Sequence, residues 1–174
     1  MGHSRHLPPE DVLNMQYLWL ILFGVLSFFV WAAVHELSHA VVARWKLGAR
    51  DFQFKLYPHW TVEGRFVFAS VHWIPERNGL EVGVLLAPRV PDLLAVALFP
   101  LTAPVDFLEW WQVALGCLAG GGLVDLFVGS LGISPLSDMR LAVREAKTNP
   151  NVLRVPGMVL VALSAGWWLC LQFG

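Results

Sequence analysis

Apolar residues crowd four stretches of this chain, at about 17–44, 80–103, 110–133 and 156–173, each close to or beyond the roughly 20 residues that cross a bilayer as a helix. Between the first two the period shortens. "DFQFKL" alternates apolar and polar positions, and "TVEGRFVFASVHWI" is rich in β-branched and aromatic residues. With "YPHW" as a turn between them, residues 49–74 predict a small β-hairpin or sheet. Residues 1–16 are polar and interrupted by Pro8 and Pro9, and read as a short lead-in in which His3 and His6 are solvated. The fold predicted is an α-helical polytopic membrane protein, with about four transmembrane helices in a single membrane-embedded domain over 17–174 and the β-hairpin insert on one face.

Two of the spans carry residues that a lipid-facing helix would not choose. "LLAPRVPDLLAV" puts Pro88, Pro91, Arg89 and Asp92 into the second, which predicts a broken or kinked helix with its ionisable groups turned inward. The third holds Gly116 and Gly120 at GxxxG spacing, expected to allow close helix approach, and a buried Asp125.

Composition agrees with the pattern. At 56% hydrophobic and 14% charged residues, with a mean hydropathy of +0.58, the chain lies outside the range of an ordinary soluble domain. Cys117 and Cys170 both fall inside predicted spans, so a disulfide framework of the secreted kind has no support. Net charge is −1, but its distribution is uneven. Arg44, Lys46, Arg50, Lys55, Arg65 and Arg77 follow the first span, and Arg140, Arg144, Lys147 and Arg154 follow the third, whereas the loop between the second and third carries Asp106 and Glu109. The positive-inside bias places both basic loops and the β insert in the cytoplasm and both termini outside. The lipid bilayer is thus the first partner, and nucleic acid is not an expected one.

The chemistry concentrates in "HELSH", residues 35–39, an HExxH pattern. Four apart on a helix, His35 and His39 stand one turn above each other on one face and can both ligate a metal, with Glu36 beside it as general base. Three ionisable side chains in a spanning helix are each costly, which favours this reading over histidines merely paired in a bundle core. Two imidazoles and one carboxylate suit Zn²⁺ and leave a fourth position for water. Depth selects the third ligand. Counted from cytoplasmic ends near Arg44 and Ser134, His35 and Asp125 each lie nine residues in, about 13 Å along their helices, so Asp125 is expected to complete the site. Asp138, beyond the end of the third span, reads as a helix cap or solvated charge, with ligation as its alternative. His59 and His72 on the insert are weaker candidates. Arg89 and Asp92, three apart, are expected to pair within their helix, the alternative for Arg89 being stabilisation of an oxyanion near the metal.

Together these features resemble the site-2 protease class of intramembrane zinc metalloproteases and, in layout, the small bacterial and archaeal zincin-peptidase membrane families. The resemblance rests on HELSHA (35–40), the β-rich insert after it, "LLAP" (85–88) and a Gly-rich helix carrying an aspartate, "GGGLVD" (120–125). It implies zinc bound by His35, His39 and Asp125, water activated by Glu36, a prokaryotic cell membrane, and cleavage of membrane-associated protein or peptide substrates near the cytoplasmic face. The larger class has an Asp-Gly pair where Asp125 is followed by Leu126; "SPLSDMR" imitates that motif in part around Asp138. The rival expectation is a non-catalytic subunit that keeps the protease scaffold within a larger membrane complex. A homo-oligomer is compatible with either.

Overall fold

In the computed structural model the described residues are 10–61, 64, 66–74, 81–107, 109–132 and 137–174, with side chains described from Asn14 onward. His3, His6 and residues 1–9 of the expected lead-in therefore lie outside the described residues, as do Arg65 and Arg77, while residues 10–16 already belong to the first helix. That helix, α1 (Glu10–Leu47), stops at Gly48, whose φ of +64° is the left-handed conformation that closes a helix at little cost only for glycine. Arg44 and Lys46 in its last turn offset the negative end of the helix dipole.

The insert is two short ladders rather than one hairpin. β1 (Arg50–Lys55) pairs antiparallel with β4 (Ser70–Ile74), with Gln53 opposite His72 and Phe54 opposite Val71. Nested between them, β2 (His59–Trp60) pairs antiparallel with β3 (Phe66–Val67). His59 joins the two ladders: its Nδ1–H donates to Tyr57 O at 2.7 Å and its Nε2 accepts from Ser70 Oγ at 2.9 Å. Both hydrogen-bonding atoms of that ring are thus used in the insert. Phe52 and Trp73 pack onto Ala43, Leu47, Ala49 and Val84, so the outer ladder is docked on the end of α1.

The second apolar stretch is broken, as its prolines predict. α2 (Val82–Leu85) gives way to a turn over 86–88, then to α3 (Arg89–Leu98) and a 3₁₀ turn (Phe99–Thr102). The third, α4 (Trp110–Leu131), is continuous, packs against α1, α3 and the last helix, and ends at Gly132 in the left-handed region. Close approach occurs at Gly121 and Gly122, not at the expected pair: a Cβ on Gly121 would collide with Trp31 and Ser27, and one on Gly122 with Ala95 and Trp31. Gly116 and Gly120 make only ordinary contacts, because the face α4 turns to α1 lies one to two residues round the helix. Ser27 Oγ donates to Cys117 O at 2.6 Å and the Trp31 indole N–H donates to Leu118 O, so α1 and α4 are also joined by polar bonds.

α5 (Asp138–Glu145) is a two-turn amphipathic helix with Met139 and Ala142 buried. α6 (Asn151–Phe173) returns across the bundle, and Arg154 near its start donates to the carbonyls of Ser130 and Leu131 at the end of α4. Four helical segments, Asn14–Leu47, Val82–Thr102, Trp110–Leu131 and Asn151–Phe173, are long and apolar enough to cross a membrane. Their large apolar side chains point outward, among them Leu18, Leu94, Val124 and Leu163. In water each would forgo about 1.5–3 kcal/mol of burial, whereas lipid removes that penalty. The chain is an integral membrane protein by length and composition of these helices.

Candidate metal centre

The HExxH residues occupy the last third of α1, where helix spacing puts His35 and His39 on one face, their ring centroids 5.0 Å apart. Each ring has one nitrogen committed to a neighbour. His39 Nδ1–H donates to Val84 O at 2.7 Å. Val84 O also accepts the turn bond from Ala87 N–H at 3.2 Å, and Pro88, four positions on, adds no further N–H to it, so one lone pair is left for the imidazole. His35 Nδ1–H donates to Asp125 Oδ2 at 2.9 Å.

With both Nδ1 atoms protonated, neutral imidazoles present bare lone pairs at Nε2. Both lone pairs face one carboxylate oxygen: Asp138 Oδ2 lies 2.9 Å from His35 Nε2 and 3.1 Å from His39 Nε2. Electron pairs on three converging atoms repel unless positive charge lies between them. Tetrahedral zinc, with bonds of about 2.0–2.1 Å, spaces its donors about 3.3 Å apart, close to the separations found. His35, His39 and Asp138 each offer one donor, all within 4.8 Å of one another. Charge points the same way. Among the described residues the cleft gathers Glu36, Asp125 and Asp138 around Arg89, whose guanidinium is already shared with Asp92 at 2.7 Å, so a divalent cation would offset the excess. The donor set therefore fits zinc.

The candidate donor set differs from the one expected. His35 and His39 converge as their spacing predicts, but the carboxylate between their Nε2 atoms is that of Asp138, not Asp125. Asp125 meets His35 at the depth expected, on the far nitrogen, where it fixes tautomer and ring orientation. Asp138 reaches the histidines because α5 turns back under the end of the bundle, with Ser137 at its N-cap position. Ser137 Oγ beside it is buried without a hydrogen-bond partner among the described residues. The signal for Asp138 was available in "SDMRLAVRE", where Ser137 as N-cap and apolar residues at 139 and 142 mark a helix that keeps one side against the protein.

Arg89 and Asp92 pair within α3 as expected, with Asp92 fully buried. Arg89 also donates from Nη1 to Asp125 O at 3.0 Å and lies 3.8 Å from Asp125 Oδ2, which stiffens the carboxylate behind His35. Gly129 makes room for it, since a Cβ there would collide with the guanidinium. Glu36 lines the same cleft of about 870 Å³ as the histidines, with its carboxylate in reach of the Val71 backbone N–H. Ser70 to Trp73 also line the cleft and no residue of β1 does, so the strand edge next to the histidines belongs to β4. His72 lies on that strand, exposed and away from the Nε2 convergence. No family model matches this chain, and neither a curated protein nor a solved structure is significantly similar to it.

Proposed function

We propose that this chain is a membrane-embedded zinc metallopeptidase that hydrolyses peptide bonds of membrane-associated polypeptides. The observation that carries this reading is the convergence of His35 Nε2, His39 Nε2 and Asp138 Oδ2, with both Nδ1 protons engaged elsewhere and Glu36 on the same cleft. Zinc bound there supplies Lewis acidity to the scissile carbonyl and acidifies a water. Glu36 takes the proton of the attacking water and returns it to the leaving amine. Asp125 and the Val84 carbonyl keep the two imidazoles in the ligating tautomer. A transmembrane helix hides its peptide bonds in internal hydrogen bonds, so the segment to be cut is unwound. The edge of β4 that β1 leaves unpaired, where Val71 N–H faces Glu36, supports holding it as an added strand.

Incubating zinc-loaded, detergent-purified protein with unfolded membrane-associated polypeptides should produce new N-termini, detected by mass spectrometry and abolished by a chelator. Val71→Pro, which removes the backbone donor facing the cleft, should lower their yield several-fold at unchanged zinc content. Zinc-loaded protein that yields no new termini would count against the peptidase reading. An unchanged yield in Val71→Pro would count against strand addition alone.

The Lys and Arg excess of the two basic loops supports a cytoplasmic cleft with both termini outside. Single cysteines introduced as Lys46→Cys and Lys147→Cys should react with an impermeant maleimide only after the membrane is opened; reaction of both in intact cells would invert the orientation.

A further inference from the structure

A second, smaller pocket of about 310 Å³ lies between α1 and α4 and is roofed by the β3–β4 turn. Its walls are Phe28, Trp31 and Ala32 of α1, Val124 and Val128 of α4, and Phe68 of the turn. Phe28 and Phe68 meet edge to face at 4.7 Å between ring centroids and form its outer end. At its inner end it shares His35, Glu36 and Asp125 with the cleft described above, so the two spaces are continuous at the catalytic base and one of the histidines. Phe28 stands seven residues before His35 on α1, about 10 Å further along the helix axis. The pocket therefore runs from the candidate metal centre along the α1–α4 seam towards Phe28, and two of its walls, Val124 and Val128, are half-exposed.

Resting on the peptidase reading, we infer that this pocket receives the side chain flanking the scissile bond and selects large apolar residues, leucine or phenylalanine, over small or polar ones. Its occupant follows from continuity and chemistry. A segment laid along β4 with its scissile carbonyl at the histidines has one neighbouring side chain directed at the space beyond Glu36, and away from its inner end that space offers only apolar and aromatic surface. A polar side chain there would lose its water without gaining a partner, whereas each apolar carbon gains burial. The substrate class is thus a polypeptide whose cleavable bond adjoins a large apolar residue drawn from the bilayer. Phe68, Ala32 and Val128 act as specificity-determining residues.

The test uses the full zinc-loaded chain in detergent and a series of dipeptide hydroxamates whose residue next to the metal-binding group is Gly, Ala, Leu or Phe, with affinities read by calorimetry. Leu and Phe should bind about tenfold or more tightly than Gly. Ala32→Phe, which fills the pocket, should reduce that ratio to near one while the Gly compound binds as before. Val128→Phe narrows the same space from α4 and serves as a second probe should Ala32→Phe fold poorly. Equal binding across the series in the wild-type protein overturns the pocket assignment and leaves the metal centre standing, the result expected if lipid chains fill the space. Failure of every hydroxamate to bind zinc-loaded protein overturns the peptidase reading, and this inference with it.

Discussion

Asp138→Ala and His39→Ala will each strip the purified protein of zinc, whereas Asp125→Ala will retain it with affinity lowered by roughly 10–100-fold, the usual effect of removing a group that orients a ligating histidine. The difference follows from which nitrogen each carboxylate faces. Asp138 Oδ2 stands in front of both Nε2 atoms at 2.9 and 3.1 Å, and Asp125 Oδ2 stands behind His35 at Nδ1. Removing a donor in front leaves two imidazoles and opens the coordination sphere. Removing the one behind frees a ring to rotate but deletes no donor. Metal content by mass spectrometry, with competition against a chelator for affinity, separates the cases. Zinc kept in Asp138→Ala and lost in Asp125→Ala would restore the ligand set expected from helix depth. No zinc in wild-type protein after metal is offered back would favour the scaffold-only subunit.

Glu36→Gln will keep zinc and abolish cleavage, lowering turnover by about 10²–10⁴-fold, the range attributed to general acid–base catalysis. Glutamine preserves shape and the acceptor that faces Val71 N–H, but takes no proton from water at neutral pH. Glu36 lines the cleft beside the histidines without offering a donor to their convergence, so metal content should stay level with wild type. Zinc lost together with activity would make Glu36 a ligand or a structural support instead. Activity kept in full would remove it from the mechanism.

Much of the architecture is legible in the chain because lipid imposes a length and a polarity that composition alone reveals. Val82–Thr102 shows this well: its apolar run marks a span, and Pro88 and Pro91 mark where it breaks. His35 and His39 are equally legible, since a four-residue spacing has one geometric meaning on a helix. The third donor is not, for a physical reason. Depth along two helices fixes how far into the bundle each residue lies, but not which side of an imidazole a carboxylate approaches. Nor does depth register α5, a short helix outside the spans that folds back beneath them and brings Asp138 to the ring edges. The place and strand character of the insert are legible, but its division into two ladders is not, because ladders of two residues such as β2 and β3 carry too little periodicity to separate from turns.

The hydrogen bond from His39 to the Val84 carbonyl has a bearing on how such a site tolerates mutational drift. Every amino acid at position 84 supplies the same carbonyl, so substitutions there are constrained only by packing room, and a family of related chains would be free to vary it. That oxygen serves two donors, the Ala87 N–H of the turn and the His39 ring, so the constraint lies in the turn over 86–88, where Pro88 adds no third N–H. Side-chain identity at the contact position is therefore a poor guide to its role, because what orients the imidazole is the path of the backbone through the turn.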